Sequence, residues 1–122
     1  MLNFCSLYSG SSGNSSIIET ENTKILVDVG MSCKKIEEAL NSLEIDPFSI
    51  HAILITHEHS DHVKGLSVIS KKFNIPVYST KETFDAMPKH TEKILTNNIK
   101  YFNPIFFKYN VFFQSFQYCV SL

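Results

Sequence analysis

No arginine occurs anywhere in the chain, so all 11 basic residues are lysines. A phosphate ligand would therefore meet no planar guanidinium fork here, only lysines, backbone amides or bound cations. The formal net charge of -1 gives no long-range pull toward nucleic acid or an anionic membrane. Cysteine is also scarce. Cys5, Cys33 and Cys119 are odd in number, far apart and without a C-x-x-C pair, which argues against a disulfide framework and against a cysteine zinc site. They are expected to be reduced, buried thiols. Missing too is any stretch near the roughly 18 to 20 apolar residues that cross a bilayer. The opening "MLNFCSLYSG" has neither a basic n-region nor an apolar h-region, so the expectation is a cytoplasmic protein with no membrane partner.

What remains is ordinary globular material: 122 residues, 43% hydrophobic and 19% charged, enough for a single domain over 1–122. "LNFCSLY" and "SSIIET" read as strands joined by the small, polar run "SGSSGNS", and "KILVDVG" as a third, more buried strand that ends at Asp28. From Ser32 the period becomes helical, with Ile36, Ala39, Leu40 and Leu43 on one face. Asp46-Pro47 ends that segment. "IHAILIT" is a fourth strand, followed by a helix with Leu66, Ile69 and Phe73 on its apolar side that Pro76 stops. "VYS" is a short strand, and Ser79 with Glu82 offers a capping box for a third helix over 82–87. Strands alternating with helices after a hairpin-rich start predict an α/β domain with a mixed sheet. The aromatic tail "IFFKYNVFFQSFQYCVSL" reads as two strands about a turn at 108–110.

The chemistry is concentrated in "ILITHEHSDHVKGL", where His57, Glu58, His59, Asp61 and His62 follow an apolar run. Alternate side chains of an extended backbone share a side, so His57 and His59 can face one cation, with Asp61 next in parity and His62 where the chain turns into the helix. Asp61 and His62 could serve a second ion beside the first. Two ions about 3.5 to 4 Å apart can clamp a water and a scissile ester together. The helical alternative, H-E-x-x-H, fails because Asp61 stands where the second histidine is needed. A serine nucleophile is unsupported, since G-x-S-x-G is absent. His51 and His90 read as ordinary polar positions. The serine- and glycine-rich run at 9–16 is either a polar turn or a source of backbone amides for a phosphate, and it lacks a P-loop pattern.

"THEHSDH" resembles the T-H-x-H-x-D-H motif of the metallo-β-lactamase superfamily, and "CSLYSGSSGNSSIIE" with "ILVDVGMS" resembles its bacterial YycJ-like branch. The resemblance runs from residue 2 to about residue 113. It implies an αββα sandwich, of which this chain would be the N-terminal half, a mixed sheet with helices on one face. It further implies a hydrolase of phosphodiesterase or nuclease type that uses a metal-bound hydroxide. Two divalent ions, zinc or manganese, would act on a phosphoester or nucleic-acid substrate. On the matching positions, His57 and His59 resemble ligands of the first metal, Asp61 and His62 those of the second, and Asp61 also the group that orients the nucleophile. Glu58 falls on the variable position and is expected to face elsewhere. Asp28 resembles the acidic residue that supports these ligands from an early strand; as a turn aspartate ahead of a glycine it reads equally well.

Three further ligands of that family, two histidines and a bridging aspartate, have no counterpart here, since only His90 and Asp85 follow the motif. The expectation is a truncated or frameshifted chain with half a site, weaker metal binding and an uncovered sheet surface that favours self-association. Three readings follow: a metal-dependent phosphodiester hydrolase, inactive if the missing half is essential; a non-catalytic remnant or interaction module pairing through its open sheet; and, last, a metal-storage or metal-sensing domain.

Overall fold

The computed structural model describes residues 2–88 and 98–101. Six strands form one sheet in chain order: β1 (Asn3–Tyr8), β2 (Ser15–Glu19), β3 (Lys24–Val27), β4 (Ala52–Leu54), β5 (Val77–Ser79) and β6 (Ile99–Tyr101). The first three pair antiparallel through tight connections; β3 to β6 run parallel, as chain crossovers through helices require. The sheet is mixed, as the hairpin-rich start predicted. β6 had no sequence forecast, because "IKY" is too short to show a period. The two strands expected in the aromatic tail, with Cys119, lie outside the described residues, as does His90.

Side-chain alternation sorts the sheet into two faces. Ile17, Leu26, Ile53 and Val77 point to one side, where they join Ile36 and Leu40 of α1 (Cys33–Ser42) and Leu66 and Ile69 of α3 (Leu66–Phe73) in the main core. Ile25, Ala52 and Leu54 form a smaller cluster on the opposite face. Met87 and Phe84, at and beyond a short helix α4 (Lys81–Asp85), also pack on the main core. The helices thus cover one face, and burial of their apolar stripes stabilises the layer.

Several local expectations shift. Ser32 caps α1 by accepting from Lys35 N–H, but Leu43 is the C-cap and is 42% exposed; the period runs past the last helical turn. The helix expected after the histidine motif is α3, and a short helix without a sequence forecast, α2 (Ser60–Val63), begins inside the motif, with Lys64 and Gly65 between the two. α3 ends on Asn74 in the left-handed conformation, two residues before Pro76, because asparagine tolerates positive φ at a C-cap. Thr80, not Ser79, caps α4, accepting from Thr83 N–H, while Ser79 is the buried last residue of β5. Cys5 and Cys33 are free thiols, half-buried rather than buried.

Candidate metal centre

Parallel pairing sets Val27 opposite Leu54, so the carboxyl ends of β3 and β4 emerge side by side, where open α/β sheets gather their functional groups. Asp28 leaves β3 and the segment from Thr56 to His62 leaves β4. The two are laced together by main-chain bonds: Asp28 N–H donates to Leu54 O at 2.8 Å, Val29 N–H to His62 O at 2.9 Å, and Gly65 N–H to Val29 O at 2.8 Å. Gly30 lets this happen. A Cβ placed there would stand 1.7 Å from Asp61 O, so any side chain would push the loop off the strand end.

Asp28 is the hub. It is 5% exposed and adopts φ 62°, a left-handed backbone that aspartate accepts better than most residues. Its Oδ1 accepts Thr56 N–H at 2.8 Å, and its Oδ2 accepts Thr56 Oγ1–H at 2.7 Å. The same Oδ2 lies 2.7 Å from His62 Nδ1. An ionised carboxylate only accepts, so the His62 proton sits on Nδ1 and its Nε2 keeps a lone pair. Thr56 extends the same logic to His57. Its hydroxyl hydrogen is given to Asp28, so its oxygen accepts from His57 Nδ1, 3.0 Å away, again leaving Nε2 free. One buried carboxylate therefore sets the tautomer of two imidazoles, the arrangement by which metal-binding histidines are held.

His57, His59 and Asp61 each bring one donor atom within 4.8 Å of the others, a group of nitrogen and oxygen donors that fits a divalent cation. His59 is the N-cap of α2 with its ring uncommitted to the helix. The His57 ring lies 4.7 Å from that of His59 and 3.8 Å from that of His62, centroid to centroid. His62 joins from the side, with Nε2 3.5 Å from Asp61 Oδ2. The four motif residues and Asp28 are thus in one place, and Asp61 lies beside His57 and His59 as well as beside His62. Glu58 is not among the three converging donors, and its Oε1 lies 4.0 Å from the exposed His59 Nε2. His51 lies elsewhere, receiving Lys24 N–H on Nδ1 at 3.0 Å across the start of β3 and β4. Among the described residues no buried side-chain polar atom lacks a partner.

Two residues of this cluster carried no sequence signal for their roles. Thr56 was visible only as the motif's first letter, and Asn14 sat inside a run read as a polar turn or a source of backbone amides, with no role for its side chain. A polar residue ending an apolar strand was the one clue to Thr56; Asn14 reaches Asp61 across 47 positions, a contact that no local pattern encodes.

Comparison with known proteins gives consistent results. The family model of the metallo-beta-lactamase superfamily matches residues 8–115. An exodeoxyribonuclease YycJ of Bacillus anthracis is 44% identical over 86 residues, 70% of this chain and 33% of that protein. An exodeoxyribonuclease WalJ of Streptococcus pneumoniae is 48% identical over 81 residues, 66% of this chain and 30% of that protein. The chain thus spans about a third of the length of these relatives. Among solved structures, a B3 metallo-beta-lactamase with an active-site glutamic acid superposes with a TM-score of 0.66 over 83% of this chain and 43% of its own, at 19% identity, a likeness of fold.

Proposed function

This chain belongs to the metallo-beta-lactamase superfamily, whose fold implies divalent-metal binding, and from that membership we propose that it carries the metal-binding motif of a phosphodiester hydrolase acting on DNA. The observation that carries the reading is the convergence of His57, His59 and Asp61 to within 4.8 Å. In this reading His57 and His59 hold a first divalent cation, Asp61 and His62 a second, each zinc or manganese. Bound there, such cations supply Lewis-acid charge to a phosphoryl oxygen and to an attacking water. The chain's own residues prepare for that. Asp28, directly and through Thr56, keeps protons on the Nδ1 atoms of His62 and His57, so that both Nε2 atoms present lone pairs. Asp61 contributes the negative charge that neutral imidazoles lack. The polar run at 9–14 borders the site through Asn14 N–H, which donates to Asp61 O at 2.7 Å.

DNA is favoured as substrate by the likeness to two exodeoxyribonucleases. This chain has no arginine, so its own contribution to holding a phosphate is limited to lysines, backbone amides and bound cations.

The test is metal content and hydrolysis together. Elemental analysis after loading with zinc or manganese, and release of nucleotides from end-labelled DNA, should both respond to His59→Ala, which removes one donor from the cluster. Unchanged metal content and unchanged hydrolysis in that variant would remove the enzymatic reading. A second reading, association through the sheet, is favoured by the edge strand β1, where Phe4 is 68% exposed and the preceding Leu2 is 64% exposed. Light scattering on the eluted chain decides it, since a monomer across the accessible concentration range leaves it without support.

A further inference from the structure

Asn14 is bound to the histidine cluster more closely than a turn residue needs to be. Its main chain is fixed on both sides, N–H to Asp61 O at 2.7 Å and O from Gly30 N–H at 2.8 Å. Its side chain is then fully committed. Oδ1 accepts Gly10 N–H at 3.1 Å; Nδ2 donates to Gly10 O at 2.8 Å and to Asp61 Oδ2 at 3.1 Å, and lies 3.4 Å from both Asp61 O and His62 Nε2. The orientation of the amide is set by these partners, because the flipped form would place Oδ1 against two oxygens. With one amide hydrogen on Gly10 O, the other goes to Asp61 Oδ2, the nearest of its remaining partners, which leaves the Nε2 lone pair of His62, 3.4 Å from Nδ2, for a cation.

We propose that Asn14 is a positioning residue for the metal centre, its carboxamide holding Asp61 Oδ2 beside the Nε2 lone pair of His62 as a ready-made ligand pair. The assignment rests on the metal-binding reading above. The two donor atoms are 3.5 Å apart, within reach of one cation at about 2.0 to 2.1 Å from each. Without that donor the Asp61 carboxylate is free to rotate and ordering it falls on the binding event, while Asp28 still holds the ring. Asparagine suits the task because one planar group supplies two hydrogens and an acceptor; aspartate has no hydrogen to give, and serine has one. A polar supporting residue of this kind typically changes metal affinity about tenfold to a hundredfold when removed.

The experiment compares wild-type and Asn14→Ala chains in two measurements: calorimetric titration with zinc chloride, and nitrogen-resolved imidazole NMR of the metal-free proteins. We expect the zinc affinity to fall about tenfold or more in the variant, and the His62 Nε2 resonance to move before any zinc is added. Equal affinity with an unmoved resonance overturns the proposal. If the wild-type chain takes up no zinc, the metal reading fails by itself, and the His62 resonance still decides for or against Asn14. Should Asn14→Ala not fold, the wild-type protein serves instead: zinc must shift the Asn14 side-chain amide signal, and an unshifted signal overturns the proposal.

Discussion

Asp28 and His62, 34 positions apart in sequence, meet through a 2.7 Å contact between Oδ2 and Nδ1, the first just past the end of β3 and the second in α2. The contact lies against the core, with Asp28 almost wholly buried. It therefore acts on stability and on the chemical state of the ring at once.

Asp28→Asn separates those two effects. Asparagine keeps the shape and tolerates the left-handed backbone, but it turns a charged acceptor into an amide. Charge-assisted hydrogen bonds to Thr56 and His62 are lost, which should cost about 1.5 to 3 kcal/mol in denaturant unfolding. The amide N–H facing His62 should also draw the ring into the other tautomer, with its proton on Nε2. Imidazole NMR of the metal-free variant reads this directly, and a His62 ring still protonated on Nδ1 alone would refute the account of Asp28 as the group that sets it.

Thr56 carries the influence of Asp28 to His57 through a hydroxyl. Thr56→Val preserves shape and β-branching while deleting that relay, so zinc affinity should drop about tenfold with little change in the metal-free melting temperature. Thr56→Ser should restore the affinity, because only the oxygen matters to the relay. Calorimetry on the three proteins is the check, and a valine variant that binds zinc as tightly as the threonine would show the relay to be idle.

Away from the site, burial and the Glu37 carboxylate, whose Oε1 is 3.3 Å from Sγ, push the Cys33 thiol up from 9.0 to about 11, with Lys72 opposing weakly. The unfolded thiol thus loses its proton first as pH rises. Stability from this group is complete below pH 9 and is lost as pH climbs through about 11. Thermal melts across that window should decline more steeply for wild type than for Cys33→Ala. Iodoacetamide alkylation of Cys33, followed peptide by peptide, should show a midpoint near 11, moving down in Glu37→Gln. A midpoint at or below 9 would contradict the burial argument.

The elements legible in advance were those with a repeating pattern. β1 to β5 and α1 followed from apolar runs and from the spacing of Ile36 and Leu40, because periodicity reports which face is buried. Leu43 and Ser79 were misread, and the short helix α2 went unforeseen, for the converse reason. Helix ends are set by which backbone groups find a partner, and Thr80 and Asn74 won those bonds on geometry that a one-residue shift in sequence cannot reveal.

By itself the sequence determined that His57 and His59 leave the end of a buried strand at alternate positions, since side-chain direction along an extended chain is a local property; Asp61 joins them from the first turn of α2. Only tertiary structure decided which groups support them. The parallel pairing of β3 with β4 brings Asp28 under Thr56 and His62, and the absence of a side chain at Gly30 lets the Asp61 loop close onto Asn14. Those contacts join residues tens of positions apart, and proximity of that kind exists only once the sheet has formed.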